Sequence, residues 1–123
     1  MTTILTVDDS LVSRKMLRHA LQSASANPLT FLEASHGQGA LALLASRDVD
    51  LLFTDLYMAG MDGLELVRRV RGEGRTLPVV VVTSERSETV LARLREAGAD
   101  RVLSKPFQPE ALKAVLDELS PCT

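Results

Sequence analysis

The chain has 123 residues, 46% of them hydrophobic and 24% charged, with a formal net charge of −2. That length suits one domain, residues 1–123, with a core that needs no staples, and the charge excludes the basic footprint of a nucleic-acid binder. A single cysteine, Cys122, excludes an internal disulfide and fits a reducing compartment, while an N-terminus without a basic leader or long apolar run excludes a secretory signal and a membrane span; a soluble cytoplasmic chain is expected.

Ile4-Leu5-Thr6-Val7 reads as a first strand, stopped by Asp8-Asp9. Ser10 is placed to cap the following helix. There Val12, Met16, Leu17, Ala20, Leu21 and Ala24 recur at helical spacing. Asn27-Pro28 ends this segment. Leu29 to Ala34 is a second strand, whose mixed polarity suits a sheet edge. His36-Gly37-Gln38-Gly39 predicts a turn and Ala40 to Ala45 a short apolar helix. Leu51-Leu52-Phe53-Thr54-Asp55 is an apolar run ending on a carboxylate, the pattern of a buried parallel strand.

Gly63 opens a third helix with Leu64, Val67 and Val70 inward and Arg68, Arg69 and Arg71 outward. Val79 to Val82 is too uniformly apolar to have a wet face and ends on Thr83-Ser84. A fourth helix carries Val90, Leu94 and Ala97, with Gly98 as its stop. Val102-Leu103 is a short last strand ending at Ser104-Lys105-Pro106. Pro109 suits the first turn of a final helix with Leu112, Val115, Leu116 and Leu119 as its buried stripe. Five alternations of strand and helix call for an α/β fold, a parallel sheet covered on both faces by right-handed crossovers. Periodicity alone does not give the strand order.

Asp8 and Asp9, Asp55, Thr83 and Lys105 each stand at a strand's carboxyl end, the edge where open α/β sheets bind ligands. Singly they have bland readings: a helix N-terminal charge, a turn residue, a capping hydroxyl, a solvated lysine. Their joint placement favours a site. Two carboxylates ~4 Å apart repel by about 4 kcal/mol at an effective dielectric near 20, so such a cluster holds protons or a cation. Oxygen ligands alone suit magnesium, which commonly shares its shell with phosphate. Lys105 and Thr83 can serve further phosphate oxygens. Without a Ser/His or Cys/His pair, a carboxylate is the nucleophile, and Asp55, solitary at its strand end, is the candidate phosphoacceptor.

Asp8-Asp9-Ser10, Asp55 with Met58-Ala59-Gly60-Met61-Asp62-Gly63, Thr83-Ser84 and Lys105-Pro106-Phe107 together resemble the receiver domain of bacterial response regulators, over nearly the whole chain and in the single-domain, chemotaxis-regulator form. The resemblance implies a flavodoxin-like, doubly wound five-stranded sheet of order 2-1-3-4-5. It implies phosphorylation of Asp55 by a histidine kinase or phosphotransfer protein, and magnesium ligation by Asp8, Asp9, Asp55 and the backbone carbonyl of Tyr57. It also implies a phosphoryl contact from Lys105, a response by Thr83 and a cis Lys105-Pro106 peptide. Such a chain is a signalling phosphoacceptor that assists its own phosphorylation and dephosphorylation, not an enzyme acting on a separate substrate.

Two departures stand out. Ala59 replaces a customary proline, and Val102 stands where many receivers carry Tyr or Phe, so an aromatic switch there is ruled out. The switch is then expected in Thr83, Ser84 and the start of the fourth helix, with Leu91 and Val102 as a small apolar patch for a downstream target and Tyr57 as a substitute aromatic. With no second domain after Leu119, output is expected in another protein or in further sequence. A magnesium phosphohydrolase wants a substrate-covering cap, for which there is no insertion, and a non-phosphorylated pseudo-receiver would not need the intact site residues. His19 and His36 are read as surface residues, and Met58 and Met61 as packing residues.

Overall fold

A computed structural model describes residues 2–119; Cys122 lies outside them. Five strands and five helices alternate: β1 (Thr2–Val7), α1 (Leu11–Ala24), β2 (Leu29–Ala34), α2 (Gly37–Ser46), β3 (Leu51–Asp55), α3 (Gly63–Gly72), β4 (Val79–Thr83), α4 (Glu88–Ala97), β5 (Arg101–Ser104) and α5 (Pro109–Leu119). All pairings are parallel, in the order β2-β1-β3-β4-β5. The expected flavodoxin-like topology is what the chain adopts, and the mixed polarity of β2 belongs to an edge strand.

The alternation of side chains along each strand divides the core in two. Ile4, Leu51, Phe53, Val80 and Val82 point to the face covered by α1 and α5, where Leu17, Leu21, Leu112, Val115 and Leu116 meet them. Leu5, Val7, Leu52, Val79 and Val81 point to the other, under Ala40 and Leu44 of α2, Leu66, Val67 and Val70 of α3 and Leu94 of α4. β3 and β4 are buried on both faces, which is why their sequences lack polar alternation.

Helix starts follow local chemistry. Ser10, Asp62 and Ser87 cap α1, α3 and α4, each accepting an N–H three residues on. Gly98 closes α4 at φ 119°, the left-handed conformation suited to glycine. α2 begins at Gly37, three residues earlier than the expected Ala40, because the His36 ring caps it: Nδ1 accepts from the Gly39 amide at 3.0 Å.

Other corrections concern helix faces. Val12 and Met16 are exposed at 67% and 61%, so only Leu17 and Leu21 of the α1 stripe are buried. In α3 Leu66 joins Val67 and Val70 in the core, while Leu64 is half-buried. Arg71 does not face water with Arg68 and Arg69. Its guanidinium donates to the carbonyls of Arg75, Leu77 and Gly98 and pairs with Asp100 at 2.9 Å, tying α3 to the end of α4 and the approach to β4.

Candidate functional site

The strand register builds the site. Val7 pairs with Thr54, Asp55 with Val82, and Thr83 with Ser104. Asp8, Asp55, Thr83 and Lys105 therefore follow one another across the carboxyl edge of β1, β3, β4 and β5. The backbone fixes the last step, since the Lys105 amide donates to the Thr83 carbonyl at 2.9 Å and the Lys105-Pro106 peptide is cis, as the resemblance implies.

Lys105 reaches back over the edge. Its Nζ lies 3.2 Å from Asp55 Oδ1 and 3.9 Å from Asp8 Oδ2, with the two carboxylate side chains 13% and 12% exposed. Asp55 Oδ1 also accepts the Leu56 amide at 2.9 Å. Asp8 Oδ1 accepts the Ser10 amide at 2.9 Å, which fixes the carboxylate at the entry to α1. Burial pushes the Asp8 carboxyl above its usual range; the Ser10 hydrogen bond and Lys105 oppose this, and the nearby charges of Asp55 and Asp9 add to it.

Asp9 is exposed and turns across to the next loop, where Oδ2 accepts the Ala59 amide at 3.1 Å. Among the described residues, no group of three or more His, Cys, Asp or Glu side chains is gathered so as to hold a metal alone. The donor set nevertheless fits a hard cation that keeps several waters and takes only one or two carboxylates. The raised proton affinity of Asp8 comes chiefly from burial, with the charges of Asp55 and Asp9 adding to it, and a bound cation would offset both.

Thr83 is buried, and its Oγ1 accepts the Glu85 amide at 3.0 Å. Ser84 is exposed, whereas Leu91 and Val102 are half-buried and packed against the core under α4. Met58 is buried and Met61 half-buried; Met61 lies so close over Gly37 that a Cβ there would collide with its sulfur.

Sequence reasoning placed the backbone of Glu85 in the switch loop but gave its side chain no role. The Tyr57 hydroxyl donates to Glu85 Oε2, while Glu85 Oε1 accepts the Arg86 and Ser87 amides. That contact lowers the Glu85 carboxyl below its usual range and raises the Tyr57 phenol above its own. Tyr57, itself 56% exposed, thereby joins the β3–α3 loop to the cap of α4. Twenty-eight positions separate the partners, so no local signal announces the pair.

The family model described as response regulator receiver domain matches residues 4–117. The chain is 36% identical over 119 residues to the chemotaxis protein CheY homolog of Campylobacter jejuni, covering 94% of this chain and 90% of that one. It is 34% identical to chemotaxis protein CheY1 of Helicobacter pylori, covering 93% of each. Among solved structures, chemotaxis protein CheY4 of Vibrio cholerae superposes with a TM-score of 0.85 at 33% identity, over 97% of this chain and 98% of that one.

Proposed function

This chain belongs to the response regulator receiver family, and we propose that Asp55 is the residue on which it accepts a phosphoryl group. Receiver domains are signalling phosphoacceptors within phosphorelays. The observation that carries the assignment is the approach of Lys105 Nζ to Asp55 Oδ1 at a strand end. Oδ1 is held by Lys105 and by the Leu56 amide, which leaves Oδ2 to attack. In the transfer, the P–N bond of a phosphohistidine breaks as the bond from phosphorus to Asp55 Oδ2 forms; the imidazole leaves with the bonding pair. The acyl phosphate carries about −1.5 to −2 charge, which Lys105 partly neutralises. Thr83, once its hydroxyl releases the Glu85 amide, donates to a phosphoryl oxygen. Water attack on the same phosphorus later restores the carboxylate.

Receiver domains are generally magnesium-dependent. Asp8, Asp9, Asp55 and the Tyr57 carbonyl would hold the ion, which when bound offsets negative charge on the phosphoryl oxygens. The donor we envisage is a histidine kinase or phosphotransfer protein. All four large apolar side chains exposed among the described residues flank this edge: Leu11, Val12 and Met16 at the start of α1, and Tyr57. Such a rim suits a protein better than a small substrate. The output region we assign to Thr83, Ser84, Leu91 and Val102, with the buried Thr83 as its inner switch and Ser84, Leu91 and Val102 nearer the downstream protein. Residues 1–123 act as one module in the cytoplasm; no helix among the described residues is long and apolar enough to cross a membrane.

The test is intact mass after treatment with acetyl phosphate and magnesium. Wild type should gain one phosphate and Asp55→Asn none; equal uptake by both would remove Asp55 from this role.

A further inference from the structure

The side-chain stripe of β2 that faces α1 changes character at its last member. Leu29 and Phe31 pack against the core there, and the next residue on that face, by the two-residue period of a strand, is Glu33. Its carboxylate takes two guanidiniums from α1: Arg14 Nε lies 3.0 Å from Oε1 and Arg18 Nη1 lies 2.9 Å from Oε2. Gripped at both oxygens, the carboxylate is held in one plane and fixes the planar fork of Arg14 in turn. The second arm of that fork does not serve the contact between α1 and β2. Arg14 Nη1 donates to the backbone carbonyl of Asp8 at 2.6 Å, from a side chain only 13% exposed.

That carbonyl belongs to the peptide joining Asp8 to Asp9. The Asp8 amide already donates to the Ala34 carbonyl at 3.2 Å, and the Asp8 carboxylate accepts the Ser10 amide. The direction in which Asp9 leaves the strand end depends on the plane of the next peptide, which Arg14 holds by its carbonyl. Asp9 is exposed, and its own hydrogen bond from the Ala59 amide lies open to water. A guanidinium bond sheltered from solvent is the stronger constraint of the two.

We infer that Arg14, aimed by Glu33, is a positioning residue for magnesium: it fixes the Asp8–Asp9 peptide so that both carboxylates can meet one cation. The inference rests on the magnesium reading given above. The guanidinium is itself a cation and would repel the ion, so what it contributes is geometry.

Arg14→Lys keeps the charge and loses the fork. Arg18→Lys loosens the same tie between α1 and β2, at a residue 45% exposed and one turn further from Asp8, and is the control. Magnesium is titrated without a phosphodonor, and Kd is read from the amide shifts of Asp9, Leu56 and Ala59. Arg14→Lys should raise Kd roughly tenfold, the scale on which groups that orient metal ligands act. Arg18→Lys should leave it within about twofold, as expected of an exposed ion pair. Glu33→Gln keeps the arginine but weakens its aim, and should raise Kd by less than Arg14→Lys. Before any metal is added, Arg14→Lys should already move the Asp9 and Ala59 amides. In acetyl phosphate uptake, the half-saturating magnesium concentration should rise with Kd, and the rate at saturating magnesium should fall far less. A wild-type Kd in Arg14→Lys would overturn the role of Arg14. An equal loss in Arg18→Lys would overturn it too, leaving the pair as a tie between α1 and β2. A wild-type Kd in Glu33→Gln would remove Glu33 from the device. Absence of saturable magnesium shifts in wild type would instead overturn the magnesium reading, and this inference with it.

Discussion

Two glycines of α3, nine positions apart, should respond in opposite directions to the same added methyl group. Gly63 opens the helix directly against the end of β3, and its amide donates to the Leu56 carbonyl at 2.7 Å. A Cβ there would stand 2.8 Å from Leu56 Cα and 3.2 Å from the Asp55 carbonyl carbon, and would overlap the Asp55 carbonyl oxygen. These are main-chain atoms that cannot rotate away. Ordinary contact would require α3 and the acceptor strand to part by more than half an ångström, stretching the Gly63–Leu56 bond. Overpacking of this kind costs about 1–3 kcal/mol, and the rigid neighbours place Gly63→Ala at the upper end. At Gly72 a Cβ would meet nothing within 4 Å, so Gly72→Ala should gain about 0.5–1 kcal/mol from the stiffer unfolded chain. Urea melts with unchanged slope read both effects as midpoint shifts. Thermal midpoints should move by about 4 °C per kcal/mol for a domain of this size. Gly63→Ala should also slow uptake from acetyl phosphate, because the displaced backbone is that of Asp55. A Gly63→Ala midpoint equal to or above wild type would show that the close approach does not constrain the fold.

Asp8→Asn should stabilise the metal-free protein by about 1 kcal/mol, the scale on which a strained functional position is relieved, while weakening magnesium-dependent phosphorylation. Because the folded Asp8 carboxyl lies above its ordinary 3.8, the ionised group burdens the native state near neutrality, and wild type recovers that loss as pH falls through the folded value. The gap between variant and wild type, measured by urea melts in a chelator, should therefore narrow below that point; a gap independent of pH would contradict it. His36→Ala should cost about 1 kcal/mol through loss of the α2 cap, and His36→Asn less, as denaturant midpoints would show. Tyr57→Phe should let the Glu85 carboxyl rise toward its ordinary value, followed by carboxyl NMR titration, and shift the Glu85, Arg86 and Ser87 amides while leaving the melting midpoint unchanged. Stationary amides would mean the hydrogen bond does not hold that loop.

Much of the fold was legible because buried strands have few chemical alternatives. Val79 to Val82 has no polar side to present, and Leu51 to Phe53 must end where Asp55 meets water. The positions of Asp55, Lys105 and the Asp8-Asp9 pair, the proposed acceptor and its neighbours, followed from strand ends alone. Periodicity was less informative on helices, since a stripe names a face without saying whether anything covers it. Val12 and Met16 continue the stripe of Leu17 and Leu21 yet lie beyond the core packing, at the rim of the site. Gly37 and Gly39 argued against a helix by propensity, and a histidine cap overrode them. Arg71 looked like one more member of a charged face, but carbonyl groups 4, 6 and 27 positions away claimed it.

That arginine has a mechanical consequence. α4 is clamped at its far end, where Arg71 Nε and Nη2 hold the Gly98 carbonyl at 3.1 and 2.8 Å, and its near end hangs from Ser87 and the Glu85 loop. The helix is thus a lever with its fulcrum at Gly98 and its moving end, tethered through Ser87 and Glu85, beside the proposed acceptor. Its ten residues make an arm of about 15 Å, so a sideways pull of about 1 Å at Ser87 turns the whole rod by about 4°. Displacement is greatest next to the chemistry and vanishes at the clamp, so a partner gripping the first turn of α4 would sense the pull far more than one gripping its last.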